Sequence, residues 1–420
     1  MRSRILLSLL LFACQGWGQM IATGLRFNPI TPCRVLDTRG NGFAGLFGQP
    51  SLVAGTIRTL PITNAGCPVS SLARAYALNV TLVPIAGGPV TAVTLWPSGY
   101  PRPTVNTVVE PRGRIVATNA LIASGPTGAI DVYSTNATDL VIDVGGYFTE
   151  GPSGLEYYPI TPCRIVETRP SEAPADIGTL FGPPVMTAGS TRSFPLPQGR
   201  CGLPATALAY HVNFTVVPSG PLGYITAYPS GQPRPFTSIL NSIDGRVLAN
   251  GAIVAAGTNS GIDVFATNET HLIVDVAGYF AAANGTGTVF NTVIPCRVSA
   301  LTLQTYPQAL PVAGYCGTSG SSVAAAMNVT ATMNQPVGYI SVWPAGLPWP
   351  YTSLMNAIDA VPGSAVGNGV IVQTGSGGQI NIVTTNPAAA TLDVTGFFSQ
   401  GSSGGGSGGA SGCDLRTCGI

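Results

Sequence analysis

The chain has 420 residues, of which only 8% are charged, against roughly 25% in an ordinary soluble protein. Its 18 basic residues, all arginine, nearly match 17 acidic ones for a net charge of +1. This excludes nucleic-acid or anionic-lipid binding through a basic patch, and a hydrophobic share of 45% excludes a disordered chain.

At the start, Arg2 and Arg4 precede an apolar run from Ile5 to Ala13, and the small residues Gly16 and Gly18 follow. That is the pattern of a secretory signal peptide over residues 1–18, too short for a membrane span. Leu11-Phe12-Ala13-Cys14 resembles a lipoprotein box, although the bulky Phe12 fits it poorly. Ordinary cleavage near Gly18 and a lipid anchor at Cys14 are therefore both open. No later segment carries 18 uninterrupted apolar residues, so no membrane span is expected.

The body is one module written three times. Pro32-Cys33-Arg34 recurs as Pro162-Cys163-Arg164 and Pro295-Cys296-Arg297, at spacings of 130 and 133 residues. Within each copy come Asn79-Val80-Thr81, Asn213-Phe214-Thr215 or Asn328-Val329-Thr330, then an aromatic turn at Trp96, Tyr228 or Trp343. Each ends in glycine and two aromatics, at Gly146, Gly278 and Gly396. A period near 130 is right for a whole domain, and the expected spans are 25–149, 155–281 and 288–399.

Two cysteines fall in each copy: Cys33 and Cys67, Cys163 and Cys201, Cys296 and Cys316. Their separations are 34, 38 and 20, while the second cysteine precedes the first terminal aromatic by 80, 78 and 81 residues. A variable excursion closed by one disulfide per copy is the expectation, contributing about 3–4 kcal/mol each.

Alternation of period two predicts strands. Tyr76, Leu78, Val80 and Leu82 face inward, with Ala77, Asn79 and Thr81 on the other face. Frequent Gly and Pro turns mark a sandwich or barrel, and Ser70–Arg74 is the lone candidate for a short helical turn. The predicted fold is all-β: three tandem antiparallel β-sandwich domains, jelly-roll or immunoglobulin-like. Residues 400–420 form a Gly/Ser-rich tail, with Cys413 and Cys418 able to close a small loop.

Pro-Cys-Arg-Val-Leu-Asp-Thr-Arg (Pro32–Arg39), the Asn-x-Thr strand, the aromatic-Pro-Ser-Gly turn and the Asp-Val-x-Gly-Tyr-Phe ending resemble a repeat of exported bacterial proteins. In actinobacterial versions the start resembles Arg-Leu-Leu-Asp-Thr-Arg and the end Ile-Ala-Asp-Val-x-Gly-Tyr-Phe. The resemblance covers nearly all of residues 26–399. It implies a secreted or cell-surface accessory module of a bacterium, sometimes attached to hydrolases, with no catalytic residues. The third copy departs from it, with Ala300 and Thr302 where Asp37/Glu167 and Arg39/Arg169 stand.

Little in the chain promises chemistry. The two histidines, His211 and His271, lie only in the second copy, and no His/Cys cluster has zinc spacing, so neither metal nor cofactor is expected. Asp131 and Asp143 recur as Asp263 and Asp275 but as Asn381 and Asp393, which suits hydrogen bonding better than acid catalysis. Structural Arg–Asp pairs are predicted for Arg34 with Asp143, Arg164 with Asp275 and Arg297 with Asp393. The Asp37/Arg39 and Glu167/Arg169 units, lost together in the third copy, are expected to brace the excursion. Trp96, Tyr228 and Trp343 are the ring candidates for stacking on sugars, with Asn79, Asn213 and Asn328 beside them; an aromatic before proline is equally a turn that packs back on its own sheet, and the asparagines equally form a structural ladder. The expected role is non-catalytic: multivalent binding of cell-wall glycan or other polysaccharide, or adhesion. The alternatives are an envelope protein assembled by self-association and, behind it, an accessory part of a secreted hydrolase system.

Overall fold

The computed structural model describes residues 20–401. The expected signal peptide, Cys14, and the Cys413/Cys418 pair lie outside them.

Each repeat supplies eight strands in the same order. The first has β1 (Met20–Asp37), β2 (Ile57–Pro61), β3 (Ala75–Pro84), β4 (Val90–Pro97), β5 (Val108–Glu110), β6 (Val116–Ala123), β7 (Ala129–Ser134) and β8 (Thr138–Thr149). The second runs β9 (Glu156–Glu167), β10 (Ser190–Phe194), β11 (Ala209–Pro218), β12 (Leu222–Pro229), β13 (Leu240–Ser242), β14 (Leu248–Ala255), β15 (Ile262–Ala266) and β16 (Thr270–Ala281). The third runs β17 (Thr288–Leu303), β18 (Gln308–Pro311), β19 (Ala324–Met333), β20 (Val337–Pro344), β21 (Met355–Ala357), β22 (Ser364–Gln373), β23 (Gln379–Thr384) and β24 (Ala388–Gln400). Ser70–Arg74 is turn and extended chain; the one α-helical turn among the described residues is Gly178–Phe181, in the second repeat's excursion.

In the first repeat the inner sheet is ordered β1-β8-β3-β6 and the outer sheet β2-β7-β4-β5, all antiparallel. The other repeats copy this order strand for strand. Eight strands in which the first lies beside the last and the second beside the seventh make a jelly roll, which decides between the two predicted topologies. Each sandwich is filled by its own core, with Tyr76, Leu78, Val80 and Leu82 pointing into the first and Tyr210, Val212, Phe214 and Val216 into the second. Disulfides Cys33–Cys67, Cys163–Cys201 and Cys296–Cys316 tie the first strand of each repeat to the far end of its excursion.

A fourth apolar cluster belongs to all three repeats. Phe27, Phe148, Phe290, Phe398, Tyr157 and Phe280 form a closed ring, each centroid 4.5–4.9 Å from the next. Two rings come from each repeat, so the inner sheets surround a pseudo-threefold axis. The first described residues of β1 pair with β17, Leu25 opposite Phe290, while Thr288 pairs with Tyr157. Near the axis the strands approach so closely that a Cβ on Gly369 would clash with the Asn119 carbonyl oxygen. The inner sheets are thus buried on both faces, and the side of β3 carrying Ala77, Asn79 and Thr81, although turned away from its own core, faces a neighbouring repeat.

Candidate functional site

One row of polar side chains crosses each inner sheet. Strand register sets Arg34 opposite Asp143 and Asp143 opposite Asn79. Arg164, Asp275 and Asn213 form the same row in the second repeat, and Arg297, Asp393 and Asn328 in the third. Each arginine grips its carboxylate through two bonds: Nε and Nη2 of Arg34 lie 2.8 and 3.2 Å from Asp143, those of Arg164 2.9 and 3.2 Å from Asp275, and those of Arg297 2.8 and 3.0 Å from Asp393. Fork geometry of this kind is available to arginine and not to lysine.

The rows join the repeats. Asn79 Nδ2 donates to the Ser238 carbonyl (2.6 Å), Asn213 to that of Ser353 (2.7 Å) and Asn328 to that of Asn106 (2.9 Å). The contacts run from first repeat to second, second to third, and third back to first. Asp143 and Asp275 also accept the Ser238 and Ser353 amides, both at 3.2 Å. Burial pushes the Asp143 carboxyl up, opposed by the Arg34 guanidinium and the Ser238 amide. Asn250 and Asn368 then close two of the seams by donating to Asn79 Oδ1 (2.7 Å) and Asn213 Oδ1 (2.9 Å).

The third seam is incomplete. Thr118 pairs with Val80 in the position that Asn250 takes beside Phe214 and Asn368 beside Val329. Its hydroxyl is too short to copy their bond, and Asn328 Oδ1 is buried with no partner among the described residues. The acid beside the row is missing there too. Asp37 takes Arg39 Nε and Nη2 at 2.8 and 2.7 Å and Asn41 Nδ2 at 3.1 Å. Burial pushes its carboxyl up, but these hydrogen bonds outweigh it and hold it below its ordinary value. Glu167 repeats the grip on Arg169 at 2.9 and 2.8 Å, and both acids also reach the row arginine.

His211, where the other repeats have Ala77 and Ala326, is buried in the seam between second and third repeats. The Ile371 amide donates to its Nε2 (3.3 Å), which leaves the proton on Nδ1, and Nδ1 has no partner among the described residues. Burial pushes its pKa down from 6.5 to about 3. The unfolded chain therefore takes up a proton that the folded one refuses, and stability falls as pH drops below 6.5. At a slope of about 1.4 kcal/mol per pH unit, moving from pH 6.5 to 5 removes about 2 kcal/mol. His211→Ala is expected to flatten that part of the curve; denaturant melts of both proteins at pH 7 and 5 check it, and parallel losses would remove His211 as the cause.

The expected sugar-stacking residues are not at the surface. Trp96 and Trp343 are each 1% exposed, and Tyr228 is buried. The Trp96 and Trp343 indole nitrogens donate to the carbonyls of Tyr100 and Leu347, both at 2.9 Å, so the turns fold back onto their own sheet. Asn79, Asn213 and Asn328 are spent in the seams. Asp131 and Asp263 serve structure, accepting the hydroxyls of Thr59 (2.6 Å) and Ser230 (2.7 Å). Among the described residues no three His, Cys, Asp or Glu side chains are grouped to hold a metal.

Six residues after each buried ring lies a position that the sequence reading missed. Arg102 lies over the Tyr133 ring (3.7 Å) and Arg234 over that of Phe265 (3.8 Å). The third repeat has Trp349 there, stacked on Tyr339 at 5.4 Å and touching Tyr351 at 4.3 Å. Tyr351 is 73% exposed and holds φ +57°, a left-handed conformation that costs a bulky residue energy. The signal was the run Trp349-Pro350-Tyr351 where the other copies read Arg102-Pro103-Thr104 and Arg234-Pro235-Phe236.

Fold and seams together define a single-chain trimer of jelly rolls. No protein-family model matches the chain, and no curated protein does. Among solved structures, a chain from Sulfolobus turreted icosahedral virus is 10% identical, with a TM-score of 0.19 over 89% of this chain and 92% of that one. A chain from the T=3 Penaeus vannamei nodavirus is 11% identical, with a TM-score of 0.15 over 67% of this chain and 95% of that one. TM-scores this low carry no argument about this protein.

Proposed function

We propose that the protein is an exported, non-catalytic glycan-binding protein of the bacterial surface, whose contact surface is the aromatic group on the outer sheet of the third repeat. The observation that carries this reading is the Tyr339–Trp349–Tyr351 group: partly exposed rings, one in a strained backbone, where the other repeats cover their aromatic with arginine. Such rings offer a flat apolar face to a sugar at low entropic cost, with the tyrosine hydroxyls at the edge for polar contacts. Three disulfides are in keeping with export. Among the described residues the third repeat alone sets a strongly exposed, left-handed aromatic beside stacked rings, so the reading rests on one site and not on three.

Retention on purified peptidoglycan and on a glycan array tests the reading. The intact protein is expected to be retained, and Trp349→Ala with Tyr351→Ala to lower retention at least tenfold while leaving the melting temperature within about 2 °C. Absence of retention by the unaltered protein would overturn it.

A further inference from the structure

The third repeat meets the first across a cleft of about 430 Å³, lined largely by small apolar side chains such as Val109, Leu301 and Ala365, with Arg297, Thr330, Thr332 and Thr391 as its polar groups on one side and Thr91 and Asn106 on the other. That volume lies in the range small ligands fill. The other repeats show what is missing from it. Ala300 faces Thr391 across the strand pair, where Asp37 faces Val141 and Glu167 faces Ile273. Asp37 and Glu167 bring a carboxylate oxygen to Nη1 of the row arginine, at 3.5 Å from Arg34 and 3.2 Å from Arg164. Arg297 keeps both bonds to Asp393, but its Nη1 meets no acid among the described residues. Its side chain is 34% exposed, against 19% for Arg34 and 17% for Arg164. Deeper in the seam, Asn328, whose Oδ1 has no partner among the described residues, lines a small cavity that shares Asn106 with the cleft.

We infer that this cleft binds a carboxylate from outside the chain, and that its ligand class is an acidic sugar of the uronic type. The ligand carboxylate takes the place that Asp37 and Glu167 occupy in the other repeats, accepting from Arg297 Nη1. Its hydroxyls meet the threonine hydroxyls and the Asn106 side of the cleft, which supply both donors and acceptors. Asp393 already neutralises Arg297, so the contact is a charge-assisted hydrogen bond and not the meeting of two free ions. At the open mouth the ligand keeps part of its water shell, and it needs no counterpart of Arg39. This site is separate from the aromatic surface of the third repeat and stands whether or not that surface binds glycan.

Calorimetric titration of the full protein with D-glucuronate at low ionic strength is the test. Half-saturation is expected near 1 mM, the scale that a sugar-sized ligand reaches with ordinary efficiency per atom, and it should weaken as salt rises. Arg297→Gln is expected to weaken binding at least tenfold. Because that change also leaves Asp393 buried without its partner, Ala300→Asp is the decisive variant. It restores the internal acid of the first repeat, and it should abolish binding with the fold intact. Equal binding of D-glucose, undiminished binding by Ala300→Asp, or heats no larger than those of sodium chloride at the same ionic strength would each overturn the assignment.

Discussion

Phe280→Ala is expected to destabilise the whole molecule by about 3–5 kcal/mol and to do so in one transition. Phe280 is fully buried, 4.5 Å from Phe27 of the first repeat, 4.9 Å from Tyr157 of its own and 6.5 Å from Phe398 of the third. Close-packed strands on every side leave little room to collapse into the vacated volume, which puts the cost toward the cavity-forming end of the range. Because the ring closes through all three repeats, a hole in it weakens three seams together. Scanning calorimetry distinguishes this from independent domains. A loss under about 1 kcal/mol, or an early transition confined to the second repeat with the rest unmoved, would show that the axis is not a shared core.

The second large effect is expected at Asp143. Asp143→Asn leaves Arg34 facing an amide at a site 3% exposed and weakens the acceptor of the Ser238 amide, so a loss of about 3 kcal/mol is expected. Asp393→Asn weakens the same two arginine bonds, but Arg297 is better exposed and, among the described residues, no backbone amide of the first repeat donates to Asp393. A loss smaller by about 1 kcal/mol is expected there: Asp393 is as buried as Asp143, but partial hydration compensates the arginine and no seam bond to the carboxylate is lost. Urea melts of the two variants provide the comparison. Equal losses would mean that the pairs serve only their own sheets and not the junctions between them.

How much of this could be read from residue order depends on which neighbour a side chain meets. Alternation in Tyr76, Leu78, Val80 and Leu82 reveals one apolar face of a strand, and the structure packs those four into the first core. The spacing of Cys33 and Cys67 outlines the excursion, which the structure closes with a disulfide. The opposite face defeats pattern reading, because Asn79 looks the same whether water or the Ser238 carbonyl receives its proton. A hint was present: Ala77, Asn79, Thr81, Asn213 and Thr215 include none of the charges that a solvated strand usually carries. Trp96 failed for a related reason, since an aromatic before proline is equally a loop tip and a plug. Only the Tyr100 carbonyl, brought back to its indole, decides between them. Asn250 and Asn368 went unnoticed because the first repeat carries Asn119 one residue out of step with them.

Threading three jelly rolls onto one chain changes what substitution can do to them. Three separate copies of one repeat would carry every replacement at all three junctions at once, and a residue that opened one would open all. Here Thr118 and Ala300 alter a single junction, while the Asn250 and Asn368 bonds hold the other two. Closure is also intramolecular, so the assembly cannot be diluted apart and its unfolding midpoint should be the same at any protein concentration. Linear connection thus releases the molecule from its own symmetry: two junctions carry the shape, and the third is free to acquire a use.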